Sequence, residues 1–394
     1  MKHIVVLGLL AWGMVACGPE VSLENRPCPC TTGWTCETAR SICVRDGEVD
    51  PEADAGAVAE GSDGRSGQSP GGQAWMPAEL LVGAATIEAV RFGDDQHGFL
   101  AGSEGALPGV FATVDGGAIW SIRQLDVAPY GVGASPSLTT VLAAGNGTRP
   151  LWSSSDRGAS FVPVSWTLDG WPASVRFLDE QNVLMGDEVA DRVFRSSDAG
   201  QTWSVHVFGR DVLPGTRAIE SLGSRHAWIV GGPAFRGDGT GATVAYSSDA
   251  AQTWTIATLT DRAHSRIGGA LHGIAVVSAT EVWVAGENRQ VFHTTDGMRT
   301  WTQLQGIPAD ILHFGGIAVR GNTIAIAGSI GTSDYGLYRS IDGGDTFQII
   351  GRRSRGGWDA NGIHGVTQTS QGALFVYGDA GLLWKYSGVM LGLP

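Results

Sequence analysis

The octapeptide SSDAGQTW at residues 196–203 reads as a tight polar turn closed by an aromatic residue, and the chain repeats it. The figure Ser/Thr-x-Asp-x-Gly-x-Thr/Ser-Trp/Phe also begins at Thr113 (TVDGGAIW), Ser154 (SSDRGASF), Ser247 (SSDAAQTW), Thr294 (TTDGMRTW) and Ser340 (SIDGGDTF). Its aspartates are Asp115, Asp156, Asp198, Asp249, Asp296 and Asp342, spaced by 41, 42, 51, 47 and 46 residues. A period of about 40–50 residues marks a propeller or a solenoid. Upstream of the turn a second element recurs: AVRFGDDQHGFLAGS from Ala89, SVRFLDEQNVLMGD from Ser174, GIAVVSATEVWVAGE from Gly273 and GIAVRGNTIAIAGS from Gly316. Each reads as a short strand, a turn and an apolar strand ending near a Gly. One strand then enters the Asp turn and another leaves it. Four strands per repeat is the count of a propeller blade.

The chemistry of the turn explains its residues. The carboxylate accepts bonds from backbone N–H groups of its own loop, Gly tolerates positive φ, and the Ser or Thr hydroxyl adds a partner. Ala251 and Met298 stand where the pattern has Gly, which puts those two turns in question. The repeat resembles the Asp-box (BNR) repeat of sialidases, sortilin and related propellers. With the upstream strands Ala227-Trp228-Ile229-Val230-Gly231 and Val282-Trp283-Val284-Ala285-Gly286, it is most similar to the photosystem II assembly-factor type of propeller. The resemblance covers about residues 73–387. It implies that each box joins the third and outermost strands of a blade, far from the central channel. The six aspartates are then structural, and Trp120, Trp203, Trp254 and Trp301 are packing residues.

The ends of the repeat give the blade number. Residues 365–387 (GVTQTSQGALFVYGDAGLLWKYS) supply three strands and stop where a box would begin. Gln73-Ala74-Trp75 resembles the Gln201-Thr202-Trp203 that opens an outer strand. The segment from 73 to about 82 is therefore expected to supply the missing outer strand and close the ring. The expected fold is all-β, a seven-bladed propeller of four-stranded blades over residues 73–394.

Three segments precede it. Residues 1–17 read as a signal: Lys2, then the apolar run Ile4 to Val15, too short to span a bilayer, then Met14-Val15-Ala16-Cys17. This resembles a bacterial lipobox, and the resemblance implies cleavage after Ala16 and lipidation of Cys17. Gly18 after the cysteine, rather than Asp, points to the outer membrane. Residues 18–45 hold the other four cysteines, Cys28, Cys30, Cys36 and Cys43. In an exported segment they read as two disulfides, Cys28–Cys36 with Cys30–Cys43 or the nested alternative. A zinc site is disfavoured, because export favours oxidation and no CxxC or His pair is present. Residues 46–72 are acidic, with little to bury, and are expected to form a disordered spacer.

Composition narrows the function. A net charge of −13 makes nucleic acid an unsuitable partner. The only lysines are Lys2 and Lys385, so Lys-based chemistry has little to use. No cofactor or metal is expected. Basic and aromatic residues gather in three inter-blade loops: Arg262, His264 and Arg266 with His272 after them; His313; and Arg352, Arg353, Arg355 and Trp358 with His364 after them. In a domain where acids outnumber bases, these residues form a candidate site for an anionic group, because Arg forks grip oxyanions at two points and Trp stacks on sugars or peptides. A sialidase-like glycosidase is the alternative. It would need an arginine triad, a Tyr–Glu pair and an acid. Its Phe-Arg-Ile-Pro signature is absent, and no spacing ties Tyr377, Tyr338 and Glu220 together. A xyloglucanase would need a second propeller. The reading is a monomeric, lipid-anchored envelope scaffold that binds a protein or glycan and is not an enzyme.

Overall fold

The structure, a computed structural model, describes residues 34–37, 42–45, 76–77 and 85–386, apart from 146–149, 210–211, 214, 233–241, 260–268, 331–333, 355–361 and 380–381. The lipobox with Cys17, the cysteines Cys28 and Cys30, and the spacer 46–72 lie outside the described residues. The chain divides into two units, 1–65 and 66–394. The first contains a two-stranded hairpin, Trp34–Glu37 against Ile42–Arg45, whose register sets Cys36 across from Cys43.

The second unit is a propeller of seven four-stranded antiparallel sheets. Blades 1 to 6 occupy residues 85–124, 129–163, 172–207, 216–258, 271–303 and 311–354, each a simple meander from the axis outward. Blade 7 takes three strands from 363–386 and its fourth from Met76–Pro77, which pairs with Lys385 and Trp384. The composite blade read from the two chain ends is therefore present. Of the segment expected for that strand, residues 73–75 and 78–82 lie outside the described residues. The inner strands touch their neighbours in a closed ring, blade 7 against blade 1 included.

The core follows from this geometry. Each of the seven blade interfaces has its own apolar cluster. Second strands such as Val141–Gly145, Val183–Asp187 and Val282–Gly286 are buried at every residue, because both sheet faces meet a neighbouring blade. Hence they read as continuous rather than alternating apolar runs.

The six Asp-box turns join third to fourth strands and share the bonds to Oδ1 and to the leading hydroxyl, while the hydroxyl bond to Oδ2 is made in five of them, blade 1 having Ile119 at that position. In blade 3 the Ser196 hydroxyl donates to Asp198 Oδ1 at 2.7 Å and accepts from the Gly200 N–H at 2.8 Å. Asp198 Oδ1 also accepts from the Thr202 N–H, and Oδ2 from the Thr202 hydroxyl. Hydroxyls of this kind hold the acids low. Ser160 and Ser154 bring Asp156 to about 2, and Thr300 does the same for Asp296. The turns at Ala251 and Met298 close in the same way. Both residues take positive φ, +64° and +69°, and donate their N–H to Ser247 and Thr294. Their side chains replace glycine at a cost of about 1 kcal/mol of left-handed strain each.

Two positions in this turn predict opposite responses. Arg157 has φ +61° and is exposed, so Arg157→Gly is expected to stabilise by about 0.5–1 kcal/mol. Gly200 has φ +88°, and a Cβ there would come within 2.6 Å of Leu142. Gly200→Ala is expected to cost about 2 kcal/mol. Thermal melts of the two variants should move in opposite directions from the wild type.

Candidate functional site

The inner strands all begin with one figure: a buried residue, a variable residue, a small residue and a branched apolar one. It reads Ile87-Glu88-Ala89-Val90, Pro129-Tyr130-Gly131-Val132, Pro172-Ala173-Ser174-Val175, Thr216-Arg217-Ala218-Ile219, Leu271-His272-Gly273-Ile274, Phe314-Gly315-Gly316-Ile317 and Ile363-His364-Gly365-Val366. In every blade the pairing with the second strand slips here, as in a β-bulge. The small residue is required because neighbouring strands converge. A Cβ on Gly131 would lie 1.7 Å from Ala173 O, and one on Gly316 would lie 2.4 Å from Val366 N. The bulge turns the variable residue towards the axis. Glu88, Tyr130, Ala173, Arg217, His272, Gly315 and His364 all line one cavity of about 630 Å³.

This cavity opens on the face built by the inter-blade loops and by the turns between second and third strands. Carboxylates from those turns meet the bulge residues. His364 lies between Glu88 and Asp379, with Nδ1 at 3.2 Å from Glu88 Oε2 and Nε2 at 3.3 Å from Asp379 Oδ1. Nδ1 is also 2.9 Å from Ile87 O. Burial disfavours charge on the imidazole, but the bonds to Asp379 and Glu88 outweigh it and raise its pKa to about 10. His272 Nε2 is 3.4 Å from Glu287 Oε1, and Arg217 Nη1 is 3.5 Å from Glu188 Oε1. The bond from His272 holds Glu287 below the usual carboxylate range against the effect of burial; the Ala270 N–H and the charge of His313 act in the same direction.

Three residues further along the inner strands, a second tier closes the channel. Arg91 from blade 1 and Arg176 from blade 3 converge on Glu220 from blade 4. Arg91 Nη1 donates to Glu220 Oε1 at 2.5 Å, and Arg176 Nη2 is 3.0 Å from Oε2. Arg91 Nη2 donates to Ile219 O, and Arg176 Nε donates to Ser221 Oγ. Burial pushes Glu220 up, but the two guanidiniums more than offset it and leave its pKa lowered. Tyr377 lies beside them, and its ring fills the space that Gly365 leaves open. Burial raises the phenol's pKa. Beyond this bar, towards the Asp-box face, is a second chamber of about 170 Å³ lined by Arg91, Arg176, Phe92, Ser135 and Phe177.

The sequence-derived cationic cluster is distributed over this frame. His313 lines the large cavity and bridges to Glu287 through the backbone. Arg352 is on the outermost strand of the same blade, Gln348–Ser354, and its Nε donates to Asp334 Oδ2 at 2.8 Å. Arg353 follows it on that strand. Arg262, His264, Arg266, Arg355 and Trp358 lie outside the described residues. Of the three glycosidase candidates, Tyr377 and Glu220 come together in the channel. Tyr338 is elsewhere, donating to Asp310 at 2.8 Å. The residues that sequence reasoning passed over are Glu88, Arg217, Arg91 and Arg176. For Glu88 and Arg217 the signal is the recurrent variable-small-apolar triplet at the start of each repeat; Arg91 and Arg176 fall just after it. Among the described residues, no group of three or more His, Cys, Asp or Glu is placed to hold a metal ion.

Comparison with known proteins agrees with this architecture. Residues 69–219 match the family model described as photosynthesis system II assembly factor YCF48. YCF48 from Cyanidioschyzon merolae is similar in structure, with a TM-score of 0.59 and 18% identity, covering 79% of this chain and 98% of that one. A structure of YCF48 bound to D1 peptide gives 0.57 and 20%, covering 78% and 93%. The GH74 xyloglucanase from Xanthomonas campestris gives 0.56 and 13%, covering 82% and 55%. These likenesses are of fold. A curated relative, a probable oligoxyloglucan-reducing end-specific xyloglucanase of Neosartorya fischeri, is 38% identical over 90 residues, which is 21% of this chain and 11% of that protein. The match thus spans about a tenth of that relative. The chain is a BNR-repeat β-propeller resembling the photosystem II assembly-factor type.

Proposed function

We propose that the chain is a lipid-anchored, non-catalytic propeller of the cell envelope, and that its channel mouth takes a polypeptide segment of a partner protein. Cys17 is the anchor, the outer membrane is the site, and the propeller acts as a monomer. One observation carries the binding site: every blade turns one residue into the same open cavity, and those residues carry both signs of charge beside Tyr130. A cup with mixed charge suits an extended segment with polar side chains. A propeller of this type that holds a peptide, YCF48 with D1 peptide, supports the choice of protein over glycan.

The glycosidase reading is weaker on chemical grounds. Glycoside hydrolysis needs one carboxyl group kept protonated to serve the leaving group. Glu220 is gripped by two arginines and Glu287 by His272, and both are shifted down. Glu88 and Asp379 are engaged by His364.

The test is site-specific photo-crosslinking in cells. A photoreactive residue at Tyr130 is expected to capture a discrete protein partner, and one at Val114, on the Asp-box face, is expected to capture none. Arg217→Glu should weaken that capture about tenfold or more, by placing a second acid beside Glu188. Equal capture from both faces would sink the proposal. So would release of sugar from sialosides or xyloglucan oligosaccharides by the purified chain.

A further inference from the structure

The side chains that bar the channel do not neutralise one another. Arg91 and Arg176 bring two positive charges to one carboxylate, Glu220, and all three are largely withdrawn from water. Glu220 spends Oε1 on Arg91 and Oε2 on Arg176. Arg91 Nη2 is used by Ile219 O, and Arg176 Nε by Ser221 Oγ. Arg176 Nη1 takes no part in these bonds. Both arginines line the chamber on the Asp-box side, and its other walls, among them Phe92, Gly133, Ser135 and Phe177, contribute no acid. A guanidinium without a counter-charge in such a site is costly, and a planar fork is well matched to an oxyanion.

We propose that this chamber binds a small free oxyanion of phosphate or sulfate size, held by Arg176 and Arg91 as the missing counter-charge. The chamber has about a quarter of the volume of the channel cup, which suits an ion rather than a phosphorylated sugar or peptide. It lies on the far side of the arginine bar from the proposed partner site, so neither assignment depends on the other.

The test uses the full-length chain and inorganic phosphate, with chloride at matched ionic strength as the control. Calorimetric titration is expected to show saturable binding at one site, and phosphate is expected to raise the melting temperature where chloride does not. Arg176→Gln should abolish the saturable binding. Arg176→Lys, which keeps the charge and loses the fork, should weaken it at least fivefold. Glu220→Gln frees both guanidiniums and should tighten it about tenfold, an effect that a purely structural role for these residues does not produce. Three results would overturn the assignment: no saturable binding by the wild type, equal binding by Glu220→Gln and wild type, or equal binding of glucose 6-phosphate and phosphate.

Discussion

Glu220→Ala is expected to destabilise the propeller by about 3 kcal/mol, more than any other single polar change in the channel. The cost does not come from losing an attraction. It comes from leaving two guanidiniums, converging from different blades, facing each other in a site mostly closed to water. Breaking a buried pair by removing one partner typically costs about 3–5 kcal/mol, and the residual exposure of these side chains, 18% for Glu220 and 30% for Arg176, places this case at the lower end. Urea denaturation of the variant measures the loss. The double variant Glu220→Ala with Arg176→Met supplies the control, because it removes one of the two stranded charges. It should recover at least about 1 kcal/mol relative to Glu220→Ala alone. A loss below about 1 kcal/mol, or strictly additive effects, would show that the bar is not an electrostatic unit.

His364→Gln is expected to remove a pH dependence that the wild type shows. Glu88 belongs to blade 1, and His364 and Asp379 belong to blade 7, so this imidazolium pins the seam where the ring closes. Its pKa is raised in the folded state. Its contribution is therefore complete below about 6.5, the free imidazole value, and is lost as pH rises through about 10. The wild type should lose about 2–3 kcal/mol between those limits, on the order of 4 °C in melting temperature. His364→Gln should start lower at pH 6 and stay flat over the same range. A wild-type profile with no decline from pH 7 to 10 would contradict the assignment.

The scaffold was legible because its signals are local. The Asp box places a carboxylate, a hydroxyl and an aromatic ring within eight residues, and its bonds are made inside that span. Ring closure was legible too, since a blade that lacks its box leaves a gap that the other end of the chain must fill. The channel was not legible. Arg91 and Glu220 are 129 residues apart and meet only because the ring brings blades 1 and 4 across from each other. Arg91 and Arg176 share the local sequence Val-Arg-Phe, but nothing near either one points to Glu220. The attention paid to clustered arginines also had a physical limit. Arg352 is prominent in its loop sequence, yet its position on the outermost strand gives it to Asp334. His272 and His364 were noticed only as loop neighbours, and their place at the bulge is what turns them inward.

The bulge has a consequence for how this molecule can change. The residues before and after it are fixed by crowding or burial, as the close approaches at Gly131, Gly316 and Gly365 show. One letter per blade stands between them, and in blade 6 that letter is fixed too, since a Cβ on Gly315 would lie 2.0 Å from Ile363 O. The mouth therefore carries a seven-letter word, Glu-Tyr-Ala-Arg-His-Gly-His in blade order, in which the first and last letters also hold the seam of the ring. Rewriting the letters at Tyr130, Arg217 and His272 would redirect the propeller to a different guest while leaving the seam and the crowded strands as they are.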